Sequence, residues 1–333
     1  MRPVLGDEYM MSRRFGRALA FGFALVTGFV HAQTPIPTNI EQHLTAAREA
    51  AKFEWVGTLS RDCVAPELGP PEVGVRGAIP DRSLWYARPA KVFDNLYFLG
   101  TRFHSSWALT TSDGIILIDT LYNYAVEPEI IDGMKTLGLD PAKIKYVLIT
   151  HGHGDHDEGA KLIQDNYGAR VALGPGDWEL IDRAKSMPGG KPKRDITVTD
   201  SQKIVLGDTT VSVVLTPGHT PGAYGLIFQV RDHGRPLTVA YSSGTAFSFP
   251  YDKPHFDTFI ASQKKMSSAA TAAGATVLLS NHSAFDNAVT RVNLIPGRQP
   301  GDPHPFEVST SAVADYFTVL EECSEAVEAG LPQ

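Results

Sequence analysis

Four side chains able to bind a metal fall within six residues of this chain, in His151-Gly-His153-Gly-Asp155-His156. They follow directly on a mostly apolar run, 144–150, that reads as a strand buried on both faces. The two glycines let the backbone fold tightly enough for the side chains of one short loop to converge. His151 and His153 stand two residues apart, so both rings can aim at one cation. Asp155 and His156 follow and can serve a second cation beside it. Imidazole and carboxylate are donors that zinc takes where a site must stay reactive. A polar cluster this dense, buried without a metal, would be costly to satisfy.

One loop cannot complete two such sites, and the chain supplies two further histidines in matching surroundings. His219 lies in Thr216-Pro-Gly-His-Thr-Pro-Gly222, after a β-run at 210–215, and His282 lies in Ser280-Asn-His, after a β-run at 276–279. Each stands in a bend at a strand's end, where binding loops gather on a rigid scaffold. The other histidines, His31, His43, His104, His233, His255 and His304, are read as structural or solvated.

The pattern around these segments predicts strands at 92–99 (with a turn at Asp94-Asn95), 107–111 and 114–119, the last two joined through Ser112-Asp113-Gly114. A helix is expected at 127–137, stopping at Gly138, with further helices at 158–167 and 178–184 around a short strand at 171–173. The second half repeats the order: a hairpin of 204–206 and 210–216 around Gly207-Asp208, strands at 223–230, 238–241 and 276–280, and helices at 255–273 and 309–329. Two halves that each run strands and then helix, with chemistry at strand ends, suggest two sheets face to face with helices outside.

These residues carry a family resemblance. The strand and HGHGDH loop, the later Gly-His-Thr-Pro-Gly and the final strand–His resemble the metallo-β-lactamase superfamily. The entry at 87–97 and the strand at 106–114 look most like the third subclass of class B β-lactamases, over about 86–287. The resemblance implies an α/β fold, a four-layer αβ/βα sandwich, and two Zn2+ ions: the first on His151, His153 and His219, the second on Asp155, His156 and His282. Asp119, at the end of its strand, matches a position that orients a ligand histidine through its free N–H; a strand-end aspartate capping a turn is the alternative. Many hydrolases of the superfamily, thioester and lactone cleavers among them, place a bridging aspartate between the last two motifs, and other class B enzymes a cysteine. Tyr241-Ser-Ser-Gly-Thr-Ala246 offers neither, which is the pattern of the third subclass. Some members of that subclass meet the substrate carboxylate with serines here, so Ser243 or Thr245 is expected to substitute. Trp107, Phe103 and Tyr224 are candidates for lining a substrate cleft, with plain core as the alternative. The implied activity is opening of a β-lactam ring by water activated between the zinc ions, with Asp155 aiming that water. The alternatives are another ester, lactone or amide, such as an acyl-homoserine lactone, and a non-catalytic zinc-binding protein.

The remaining features place the chain in a compartment. Arg13, Arg14 and Arg17 precede an uncharged, mostly apolar run at 18–30, and Val30-His31-Ala32 offers a cleavage site, so residues 1–32 are expected to be a secretory signal that delivers the chain to the periplasm. The run is shorter than the roughly 20 apolar residues a bilayer span needs, so no membrane anchor is expected after processing. Residues 33–85, rich in proline and glycine (Pro66, Pro70, Pro71, Pro80), read as an extension that wraps a main domain at 86–333. Without its first 32 residues the chain keeps 26 basic against 35 acidic residues, a net charge of −9. No basic run survives that could track a phosphate backbone, so the expected partner is a small-molecule substrate and no nucleic acid. The two cysteines, Cys63 and Cys323, lie near opposite ends of the chain. A disulfide between them suits an oxidising compartment; two separate buried thiols are the alternative.

Overall fold

In the computed structural model, residues 38–64 and 79–331 are described. The expected signal segment 1–32, its cleavage site, and Pro66, Pro70 and Pro71 of the extension lie outside them.

Among the described residues, twelve strands form two sheets. The first has seven strands in chain order: β1 (Ala90–Phe93), β2 (Leu96–Phe98), β3 (Trp107–Thr111), β4 (Gly114–Ile118), β5 (Ile144–Leu148), β6 (Arg170–Leu173) and β7 (Ile196–Thr197). Its first four strands are antiparallel, as hairpin turns require, and β4 to β7 run parallel, as helical crossovers require. The second sheet holds β8 (Lys203–Leu206), β9 (Thr209–Leu215), β10 (Tyr224–Asp232), β11 (Arg235–Ser242) and β12 (Val277–Ser280). Here β8 to β11 are antiparallel and β12 is parallel to β11.

Strand alternation sorts the side chains into three apolar layers. Ile116 and Ile118 of β4 and Leu148 of β5 face Val211, Leu226, Tyr241 and Leu279 of the other sheet. Ile115 and Leu117, one residue out of phase, join Val147 and Val171 under Ile130, Met134, Ile163 and Trp178 from the helices outside the first sheet. Ala240 and Leu278 turn outward beneath Phe256, Phe259, Phe317 and Leu320. Two buried sheet faces explain why β4 and the end of β5 read as continuous apolar runs rather than alternating ones. Each large side chain buried here stabilises the fold by roughly 1.5–3 kcal/mol. The expected four-layer sandwich is what the chain adopts.

The longer helices are α1 (Thr38–Ala51), α2 (Ala160–Tyr167), α3 (Pro175–Arg183), α4 (Lys253–Ala272) and α5 (Thr310–Ala329). The helix expected at 127–137 starts earlier: Asn123–Ala125, a π-helical stretch at Val126–Ile131 and Asp132–Thr136 follow one another. Short helices at Ser283–Asp286 and Ala288–Leu294 were not expected. Residues 38–64 do pack on the rest of the molecule: α1 lies along α5, with Lys52 Nζ 2.7 Å from Asp315 and Trp55 Nε1 donating to the Ala312 carbonyl at 2.7 Å. Cys63 and Cys323 are bonded, with Cα atoms 4.8 Å apart across 260 residues of sequence. No helix among the described residues is long and apolar enough to cross a membrane.

Candidate metal centre

Parallel pairing of β4 with β5 and of β11 with β12 brings the C-terminal ends of four strands to one edge of the sandwich. β9 is antiparallel to β10, which is antiparallel to β11, so β9 ends there too. A hydrogen bond from Tyr224 N to the Thr150 carbonyl, 3.0 Å long, ties the two sheets together at this edge. His151–His156 follow β5, His219 follows β9 and His282 follows β12, so residues more than a hundred positions apart meet.

His219 Nε2 lies 3.1 Å from His151 Nε2 and 3.0 Å from His153 Nδ1. Asp155 Oδ2 lies 3.0 Å from His156 Nε2 and 3.4 Å from His282 Nε2, and those two nitrogens are 3.2 Å apart. His151, Asp155 and His156 also offer donor atoms within 4.8 Å of one another, so Asp155 joins the two groups. The six residues expected to converge therefore do so.

Their backs are held by partners that choose the tautomer. His219 Nδ1 is 2.6 Å from the Ala246 carbonyl, so its proton sits there and Nε2 presents a lone pair. Asp119 Oδ2 is 3.2 Å from His156 Nδ1, which does the same for His156. Asp119 itself accepts from Thr150 N at 2.8 Å, Thr150 Oγ1 at 2.9 Å and Tyr241 OH at 3.2 Å. Its φ of 58° is a left-handed conformation that costs a non-glycine residue energy and is retained where the surroundings impose it.

Burial drives His151 and His282 well below the ordinary imidazole range, His219 to about 3 and His104 to about 4. Burial also opposes ionisation of Asp155, but His156, His104 and His282 outweigh it and hold the carboxyl well below its usual range. His156 is the exception: against burial, Asp155 and Asp119 raise it to about 10. Lone pairs of neutral imidazoles directed at one another, with one nitrogen facing two others, cannot all be satisfied by shared protons. A cation between them satisfies all of them, so the donor set fits a metal.

Asp177 was not foreseen. It starts α3, and its buried carboxylate accepts from Gly152 N at 2.8 Å, Thr220 Oγ1 at 2.7 Å and Gly222 N at 2.8 Å, which bolts the loop of His151 and His153 to the loop of His219. The loops approach so closely that a Cβ on Gly174 would collide with the Gly222 carbonyl. Gly244, at φ 64°, passes His219 where a Cβ would stand 2.8 Å from that residue's own. Neither role has a sequence signal, because both arise from contact between distant loops. His104 is also corrected. Read as structural or solvated, it instead places Nε2 3.3 Å from Asp155 Oδ2, beside His282.

Four expected substrate contacts are corrected as well. Trp107 and Tyr224 are fully buried between the sheets, where Tyr224 OH donates to the Ala172 carbonyl. Thr245 is fully buried, and Ser243 is turned inward, its Oγ 3.3 Å from His151 Nδ1 and 3.4 Å from Asn281 Nδ2. Side chains enclosed in this way do not reach a molecule in solution. Phe103 is half-buried beside the centre.

Residues 99–232 match the family model of the Metallo-beta-lactamase superfamily. The chain carries a domain of that superfamily. Among solved structures it resembles BJP-1, a subclass B3 metallo-beta-lactamase of Bradyrhizobium japonicum, at 26% identity and a TM-score of 0.59, covering 71% of this chain and 92% of that one. Among curated proteins, N-acyl homoserine lactonase AttM of Rhizobium radiobacter is 32% identical over 33% of this chain and 44% of its own length. Hydroxyacylglutathione hydrolase of Rhizobium etli is 35% identical over 24% of this chain and 27% of its own. The chain thus spans less than half the length of these curated relatives.

Proposed function

We propose that the chain is a zinc-dependent hydrolase of the periplasm that opens β-lactam rings, with two zinc ions held by one domain at 86–333. The observation that carries the reading is the pair of donor groups joined through Asp155 at the strand ends: His151, His153 and His219 would hold one ion, and Asp155, His156 and His282 the other. When bound, two adjacent dications would supply activation of water at neutral pH and polarisation of a carbonyl. Everything else falls to the chain. Asp155 offers its carboxylate as an acceptor able to orient a water proton. Asp119 holds the proton of His156 on Nδ1, and the Ala246 carbonyl holds that of His219 on Nδ1, so that both rings present Nε2. Asn281 and Ser243 steady His151 from behind. Because water is the nucleophile, no covalent acyl-enzyme forms.

Two observations favour a β-lactam over a thioester or lactone. Likeness to a subclass B3 enzyme extends over most of this chain, whereas likeness to the lactonase and the hydroxyacylglutathione hydrolase is confined to a third of it or less. The end of β11, where a bridging carboxylate would enter, carries Ser242, Ser243 and Gly244. The second reading, hydrolysis of an acyl-homoserine lactone or glutathione thioester, draws on the identities to those curated relatives. The test is turnover of nitrocefin, a carbapenem, an acyl-homoserine lactone and S-lactoylglutathione by the purified protein, with and without a chelator. Chelator-sensitive β-lactam turnover is expected. Lactone or thioester turnover without β-lactam turnover selects the second reading, and zinc uptake without turnover of any of them selects a non-catalytic role.

A further inference from the structure

His104 lies in the loop between β2 and β3, far in sequence from every other residue of the centre, and its surroundings hold it there deliberately. Thr101 Oγ1 accepts from the backbone N–H of Phe103 and His104 at 3.1 and 3.0 Å, which turns the loop. The loop then pairs with the chain leaving β12: His104 and His282 form an antiparallel bridge, flanked by Ser105 N donating to the Asn281 carbonyl at 2.8 Å and Ser283 N donating to the Phe103 carbonyl at 2.9 Å. Backbone pairing sets the two imidazoles side by side, with ring centres 5.1 Å apart. The far side of the His104 ring is packed edge-on by Tyr122, 5.3 Å away. The ring therefore points one way, and Nε2 ends 3.3 Å from Asp155 Oδ2.

Asp155 Oδ2 consequently has three imidazole nitrogens around it, at 3.0 Å (His156), 3.3 Å (His104) and 3.4 Å (His282). Four donors bound tetrahedrally to zinc at about 2.0–2.1 Å lie roughly 3.3 Å from one another. The three separations from Asp155 Oδ2, and the 3.2 Å between His156 Nε2 and His282 Nε2, match edges of that tetrahedron. We infer that His104 is a fourth protein ligand of the second metal, through Nε2. The inference rests on the di-zinc reading above. Its consequence is an asymmetric centre. His151, His153 and His219 leave their ion a position open to water or substrate, whereas His104, Asp155, His156 and His282 would give theirs four protein ligands, so that a water shared between the ions would raise that metal to five-coordination.

The count of ligands can be read directly on the native full-length protein. With Co2+ in place of zinc, each ligating imidazole contributes one strongly shifted, exchangeable N–H proton resonance. Ligation by His104 predicts six such resonances, from His104, His151, His153, His156, His219 and His282; a ring that merely hydrogen-bonds to Asp155 leaves five. In the His104→Ala protein one resonance should vanish and the second metal should be lost to a chelator at least about tenfold more readily, with first-site affinity unchanged. Far-UV circular dichroism checks that the variant folds, and the count on the native protein stands without it. Five resonances in a native protein carrying two Co2+ overturns the ligation and leaves the di-metal reading intact. A native protein that takes up no second metal overturns both.

Discussion

Asp177 offers a sharp measure of how the two ligand loops are held, because it touches both and ligates nothing. Its carboxylate receives three hydrogen bonds of 2.7–2.8 Å, two from backbone N–H groups of Gly152 and Gly222 and one from the Thr220 hydroxyl. Asp177→Ala strands all three donors. Each buried polar group left unpaired costs about 1–3 kcal/mol, which sums to roughly 3–9 kcal/mol if none recovers a partner. Burial pushes the Asp177 carboxyl upward against those same bonds, so part of their benefit is already spent on desolvation and the lower half of that range is expected. Asp177→Asn keeps one oxygen but turns an NH2 toward a donor, so about 2 kcal/mol is expected, with the cost coming from donor facing donor rather than from lost volume. Urea unfolding of the metal-free variants measures this term. Chelator competition on the metal-loaded variants measures the second consequence, a weaker hold on the first metal, since Gly152 lies between His151 and His153 and Thr220 follows His219. An Asp177→Ala protein with wild-type urea midpoint and wild-type first-site affinity would refute the claim that this carboxylate joins the loops.

Asp119→Ala removes the partner of His156 Nδ1 and should weaken second-site affinity about 10–100-fold, measured by chelator competition; an unchanged affinity would show that His156 needs no such support. Serine at both Cys63 and Cys323 opens a 260-residue loop and should lower unfolding free energy by about 3–5 kcal/mol in urea, and loss below 1 kcal/mol would show that the packing of α1 on α5 holds the ends without the bond. Burial raises the Glu129 carboxyl from 4.5 to about 7 despite Arg82. The unfolded chain therefore releases this proton at lower pH than the folded one, and stability falls as pH rises from about 4.5 through 7. Comparing urea midpoints of Glu129→Gln and native protein across that window should show a flatter profile in the variant; parallel profiles would place Glu129 outside the linkage.

Much of this molecule was legible from order along the chain. The HGHGDH segment announced its chemistry because tight loops need glycine and metals need lone pairs, and both requirements act within six residues. Strand and helix positions followed from apolar spacing, which reports burial face by face; the sandwich with helices outside follows from the same spacing. Nothing local distinguished Trp107 and Tyr224 as inter-sheet core from wall of a cleft, since an aromatic side chain reads alike in either place. Ser243 and Thr245 were legible as polar residues after a strand, but the direction in which each turns depends on what packs against it. Asp177 and His104 carry no motif at all. One bolts two loops together and the other stands in the centre only because the loop before β3 pairs with the chain leaving β12. A sequence specifies donors and periodicity through neighbours a few residues apart, whereas the meeting of strand ends is set by sheet register and layer packing, which are properties of the whole fold.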